Sequence, residues 1–421
     1  MLASALLFLL SAAPTVDALY PDLDAIYVQL HQHPELSGRE EKTAALLGAR
    51  LQKLGFAVTQ KVGGFGLVAV LKNGAGPTVL VRTDLDALPV EEKTGLPYAS
   101  TQTGLGDDGQ KVGLMHACGH DVHMTVWLGA ATRLAKDLTA WHGTLVFVGQ
   151  PAEEKGTGAK AMLADGLLTR FPKPDVAIAL HDTNNLPSGS IGWVKGFALA
   201  NVDTVEVTLY GRGGHAAYPD NSVDPIVLAA KTVLSLQTLV SREVSPLDPA
   251  VVTVGSIHGG TKSNIIPDEV KLQLSVRSYR AEVRKALRDG IIRIARAESV
   301  AARSPKEPLI TIDEGPMAVF NDPDTVARVT AALGLTLGEA NVVETERVMG
   351  AEDFGELSRS GGFPGVMLWL GAADPAKFAA AKAKGEALPA MHSALFAPDK
   401  ERTLKTGVTA LTAAVIALAN K

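Results

Sequence analysis

The stretch Met115-His116-Ala117-Cys118-Gly119-His120-Asp121-Val122-His123 holds the only cysteine of the chain and three of its ten histidines. Thiolate, imidazole and carboxylate together are the donor set of a zinc-like ion. A thiolate can also bridge two ions. The same residues admit a second chemistry, with Cys118 as nucleophile and His120 or His181 as its base. Three further polar clusters each follow a β-branched, apolar run. Thr78 to Arg82 leads into Thr83-Asp84-Leu85-Asp86, Thr144 to Val148 into Gln150-Pro151-Ala152-Glu153-Glu154, and Val176 to Leu180 into His181-Asp182. Neighbouring glutamates such as Glu153 and Glu154 can divide labour, one binding a cation and the other moving protons. Taken singly, a Glu-Glu pair is a solvated face and a histidine after a strand is a structural residue. Together they point to one metal site.

The elements that must position these residues follow from periodicity. Pro21 to Gly55 has helical spacing, with Leu23, Ile26, Leu30, Ala44, Leu47, Leu51 and Leu54 on one face. Buried strands are predicted at Gly66–Leu71, Thr78–Arg82, Thr144–Val148, Val176–Leu180 and Val366–Leu370. Helices are predicted at Thr125–Ala135, Ala159–Leu168, Asp324–Leu333, Ala351–Arg359 and Lys400–Ala419. Continuous apolar strands alternating with helices describe an α/β domain with a mainly parallel sheet. Ligands of such sheets sit beyond the carboxyl ends of the strands, where the polar clusters fall. From Asn201 the pattern alternates, and β-α-β-β-α-β order marks a smaller ferredoxin-like α+β domain. The expected division is 1–18 a signal peptide, 19–200 and 314–421 a catalytic domain, and 201–313 an inserted lid or dimerisation domain.

Length and composition bound the rest. The chain has 421 residues, 46% hydrophobic and 20% charged, which excludes a mostly disordered protein. Net charge is -5 and aromatics are 5%, with no basic run, so no nucleic acid partner is expected. The stretch MLASALLFLLSAA precedes Val16-Asp17-Ala18, a small-x-small pattern. That predicts an exported protein, periplasmic or secreted, cut after Ala18, although no Lys or Arg precedes the apolar core. No stable membrane span is expected in the mature form. A single cysteine leaves no internal disulfide framework.

Seven segments carry a resemblance. They are His31-Gln32-His33-Pro34-Glu35-Leu36-Ser37, Asp84-Leu85-Asp86-Ala87-Leu88-Pro89, Met115 to Asp121, Gln150 to Glu154, Gly213-Gly214-His215-Ala216-Ala217, Ser263-Asn264-Ile265-Ile266-Pro267 and Gly350-Ala351-Glu352-Asp353-Phe354. In this order the chain resembles peptidase family M20, and most of all its amidohydrolase subgroup of aminoacylases, hippurate hydrolases and indole-acetyl-amino-acid hydrolases. The resemblance implies two divalent metal ions, zinc or manganese first, cobalt or nickel next. Cys118 would bridge them, and His120, Glu154, His181 and His392 would complete their spheres. Glu153 would be the general base toward a metal-bridging water, and Asp86 would orient a ligand histidine. His215 would stabilise the oxyanion, from its own or a partner subunit. Asn264 and Arg277 are the candidates for holding substrate. The implied reaction is hydrolysis of the amide bond of N-acyl amino acids, hippurate-like or related conjugates, by a homodimer or higher homo-oligomer. The alternatives are a metallo-dipeptidase or carboxypeptidase on the same site, a Cys118 hydrolase, and a non-catalytic binding protein. His31 and His33 read as structural. Glu352 and Asp353 either line the pocket or cap a helix.

Overall fold

The computed structural model describes residues 13–420 and divides them into two compact units. The signal-peptide expectation falls largely outside the described residues. The larger unit comprises residues 13–198, 320–346 and 353–420.

Its eight-stranded sheet is antiparallel at one edge and parallel in the middle. Ala57–Val62, Gly66–Asn73 and Gly143–Gln150 run antiparallel to one another in turn. Gly143–Gln150, Thr78–Asp84, Val176–Pro187 and Gly365–Ala373 are then parallel neighbours. Short strands Ile191–Trp193 and Val342–Glu344 close the other edge. The parallel strands are buried on both faces, which explains their unbroken apolar sequence.

The first predicted helical region is two helices, Val16–Gln32 and Glu41–Lys53. The break between them holds the Pro34-Glu35-Leu36-Ser37 segment. Helix His120–Lys136 is buried almost all round, packed by Val16–Gln32 and Lys400–Ala419. At Gly129 a Cβ would lie 2.5 Å from Val408, so only glycine permits this approach. Trp127 donates its indole N–H to the carbonyl of Val81 at 2.9 Å and so fixes the helix to the strand beneath it. Helix Lys400–Ala419 is long and apolar enough to cross a membrane, yet Leu404, Val408, Leu411, Val415 and Leu418 lie in the core.

The smaller unit, Leu199–Val319 with Arg347–Glu352, is an antiparallel sheet in the order Ala250–His258, Glu269–Ser278, Asn201–Tyr210, Leu309–Glu314. Helices Pro225–Thr238 and Ala281–Ala301 cover one face. Strand Glu269–Ser278 alternates exposed and buried, as one wet face requires. The segment 347–352, expected with the catalytic domain, belongs here. Its backbone carbonyls explain why: Arg277 and Tyr279 donate to Met349 and Val348, and Gly350 accepts from the Ala200 amide.

Candidate metal centre

The site opens where two parallel strands part. Arg82 and Ala179 are the last residues paired between Thr78–Asp84 and Val176–Pro187. Beyond them Asp84 continues along Gln150, and His181 continues along Trp369. His181 lies within its strand, which runs on to Pro187, and not at the strand end that the sequence suggests. The loop Met115–Gly119 enters this gap. Gly119 caps the following helix at φ +76°, and a Cβ there would meet Asp182 at 2.3 Å. Glycine is needed for both reasons.

Six expected site residues come together. Groups of ligand atoms within 4.8 Å of one another link Cys118, His120 and His181; Cys118, Glu154 and His392; and His120, Glu153 and Glu154. Cys118 Sγ lies 3.6 Å from His181 Nε2 and 3.3 Å from His392 Nε2. His120 Nε2 lies 3.8 Å from both Glu153 Oε2 and Glu154 Oε1. The outer nitrogens set the tautomers. His120 Nδ1 donates to the Asp86 carbonyl, and His181 Nδ1 to the Asp182 carbonyl, each at 2.8 Å. Both Nε2 atoms thereby face inward; burial opposes charge on His120, but Asp84 and Asp86 raise it well above its usual range, so a bound cation would displace its proton. His392 is the exposed member, with its side chain 57% accessible and its backbone at φ +67°.

These donors fit divalent cations. Among the described residues, His120 Nε2 and Glu154 Oε1 are buried with no hydrogen-bond partner. Burial pushes the Cys118 thiol well above its usual range. The neighbouring His120 imidazole pulls it back, while the charges of Glu154 and Glu153 add to the rise. Burial likewise raises Glu154. It holds His181 well below its usual range, so that ring is neutral and ready to ligate. Crowded anionic donors away from water are what a divalent ion offsets, displacing the thiol proton as it binds.

Behind the donors runs a buried chain of charges that the sequence does not announce. Arg82, fully buried, donates to Asp84 at 2.8 Å, to Asp353 at 3.0 Å and to Gln150 at 3.1 Å. Asp84 meets His123 Nδ1 at 2.7 Å, and His123 Nε2 faces Asp182 at 3.2 Å. The one signal for Arg82 is an arginine inside an otherwise apolar strand. Asp353 binds Arg82, Gln150 and the Ala159 amide, and its side chain does not cap the helix that follows. His31 is held between Asp121 at 2.6 Å and Glu92 at 3.1 Å. Burial opposes its charge, but the two carboxylates carry it up to about 10.

The remaining candidates lie in the smaller unit. His215 and Asn264 line one open groove with Gly213 and Asp268. His215 Nδ1 accepts the Ala217 amide proton at 3.1 Å, which leaves the ring proton on Nε2. Asn264 accepts the Ala216 amide through its backbone carbonyl at 3.1 Å. Arg277, half-buried, binds the Met349 carbonyl at 2.7 Å.

Comparison with known proteins agrees with this geometry. Residues 80–392 match the model of peptidase family M20/M25/M40. N-acetyldiaminopimelate deacetylase of Limosilactobacillus reuteri is 35% identical over 93% of this chain and 96% of its own. N-acetyl-L-cysteine deacetylase of Bacillus subtilis is 37% identical over 73% of this chain and 71% of its own. A dinuclear metal-binding M20 peptidase from Bacillus subtilis superposes with TM-score 0.77 at 27% identity, covering 96% of this chain and 99% of that one. The chain belongs to peptidase family M20/M25/M40. It is a metal-dependent amidohydrolase.

Proposed function

We propose that the protein hydrolyses N-acyl amino acids, using two divalent ions held by Cys118, His120, Glu154, His181 and His392. The observation that carries this is Glu153 beside that donor set. Its carboxylate reaches the centre while five other side chains supply the ligands. The ions, zinc or manganese before cobalt or nickel, would polarise the amide carbonyl and acidify water. Glu153 takes the proton of the attacking water and returns it to the leaving amine, so that acid and free amino acid are released. Asp86 keeps His120 in the ligating tautomer. We assign oxyanion donation to His215, whose Nε2 carries the proton, and substrate contacts to Asn264 and Arg277. The deacetylase relatives support a short acyl group ahead of benzoyl.

The reading includes an exported homodimer. Exposed Ile226, Val227 and Leu234 on one helix of the smaller unit, with Ile257 on its edge strand, support self-association. Light scattering that finds an active monomer would reject it. Cleavage after Ala18 would remove Thr15, which caps the first helix, and Asp17, which pairs with Lys405 at 2.8 Å. N-terminal sequencing of the mature protein decides whether that turn is kept.

The decisive experiment offers N-acetyl and N-benzoyl amino acids and dipeptides to apo protein, with and without added divalent metal. Cleavage of acyl amino acids that returns with metal and is absent in Glu153→Gln supports the proposal. Cleavage that survives metal removal would move the reaction to Cys118. Preference for dipeptides would make the enzyme a peptidase.

A further inference from the structure

The loop between the first two helices does no chemistry in the proposal above, yet it reaches both strand-end segments of the centre. The Ala87 amide donates to the Glu35 carbonyl at 2.8 Å, and Ser37 Oγ donates to Asp86 Oδ2 at 2.6 Å. Asp86 Oδ2 in turn accepts the Glu154 amide at 3.0 Å. The other side of Glu153 is held in the same way. Glu40 Oε1 accepts the Ala152 amide at 2.8 Å and the Gly38 amide at 2.7 Å. Glu40 is fully buried and lies far from Glu153 in sequence.

The segment needs holding. Ala152 sits at φ +50°, a backbone region that residues with a Cβ avoid, so its conformation persists only where surroundings impose it. Its carbonyl accepts the amides of Thr157 and Gly158, which completes a tight turn. Two buried carboxylates thus grip the two amides that flank Glu153.

We infer that Glu40 is a positioning residue of the centre: by gripping the Ala152 amide it imposes the left-handed turn that aims Glu153 and Glu154. The assignment rests on the roles proposed for those two glutamates. The geometry also makes glutamine its natural substitute, because Oε1 makes both bonds and Oε2 has no partner among the described residues.

Zinc affinity, measured by chelator competition without substrate, and kcat with KM for an N-acetyl amino acid test this. Loss of a residue that supports metal ligands costs about 10- to 100-fold in metal affinity or activity. Glu40→Ala is expected to fall in that range for both affinity and kcat, with KM changed less than about twofold. Glu40→Gln is expected to keep both within about threefold even if its Tm falls. Ala152→Gly, which takes the turn without strain, should recover part of the loss in the Glu40→Ala background. Wild-type affinity and kcat in Glu40→Ala, or equal damage by Gln and Ala, would overturn the inference. Glu40→Leu, which fills the space and accepts no hydrogen bond, replaces the alanine variant if that does not fold. If no acyl amino acid is cleaved by the wild type, the substrate reading fails while the affinity measurement still decides the role of Glu40.

Discussion

The two units treat buried charge in opposite ways. In the smaller one, the buried pair of Arg284 with Asp203 is satisfied internally, with Gly315 accepting a further bond. Around it lies an ordinary core of Val205, Val207, Leu272, Leu274, Leu287 and Ile291. In the larger unit the charges run on from Arg82 through Asp84 and His123 to Asp182, and the inner edge stays unsatisfied at His120 Nε2, Glu154 Oε1 and Asp182 Oδ2. A satisfied buried pair specifies a fold. A chain of buried charges whose edge is left with unpaired ligand atoms is built for something the polypeptide does not itself supply.

Removing metal should break the comparison most sharply. Chelation is expected to abolish amide hydrolysis. With metal at about 1,000 times its Kd, its removal should cost the larger unit about 4 kcal/mol. Amide exchange should rise at Thr78–Asp84 and Val176–Pro187 and stay unchanged in Pro225–Thr238. Equal loosening of both units would contradict the contrast.

Replacing the two buried arginines comes next. Arg82→Met removes the buried arginine that Asp84 and Asp353 share and should cost about 3–5 kcal/mol in chemical denaturation. Arg284→Met leaves one carboxylate unpaired beside a slightly exposed side chain. It should cost less and leave metal affinity unchanged, whereas Arg82→Met should weaken it.

The smallest effect is a pH dependence at His31. Its pKa is raised above the unfolded value near 6.5, to about 10, so the bound proton favours the folded state. That stability is fully present below about pH 6.5 and is lost as pH rises through about 10. Asp121 and Glu92 shift downward, the direction expected of its partners. His31→Gln should therefore flatten the alkaline fall in stability over that window, by a few kcal/mol at most. An unchanged slope would mean that His31 folds uncharged.

Much of the centre is legible in the sequence alone. Glu153, Glu154 and His181 stand out because charged or rare residues follow apolar runs, and Cys118 and His120 because the only cysteine shares a glycine-containing loop with three histidines; the parallel sheet follows from those same runs. His392 has no such local context; it reaches Cys118 across 274 positions, and the ligand role proposed for it comes only from the resemblance. Arg82 and Glu40 escape notice because a charge inside a strand and one member of a Glu-Glu pair look solvated when read alone. The strand at Ala57–Val62 and the helix at Pro375–Lys384 escape it as well. Neither is strongly buried, so neither leaves an apolar period to read.

The sequence by itself determined the order of the strongly buried elements and the chemistry of the donors. Hydrophobic periodicity is a local property, and so is the identity of a ligand. Tertiary structure decided which polar groups lose water together. That sets the tautomer of His120, the charge on His31, the grip of Glu40 on Ala152 and the need for glycine at position 119. Each depends on residues far apart in the chain being held within hydrogen-bond or van der Waals distance, and no local pattern encodes such a distance.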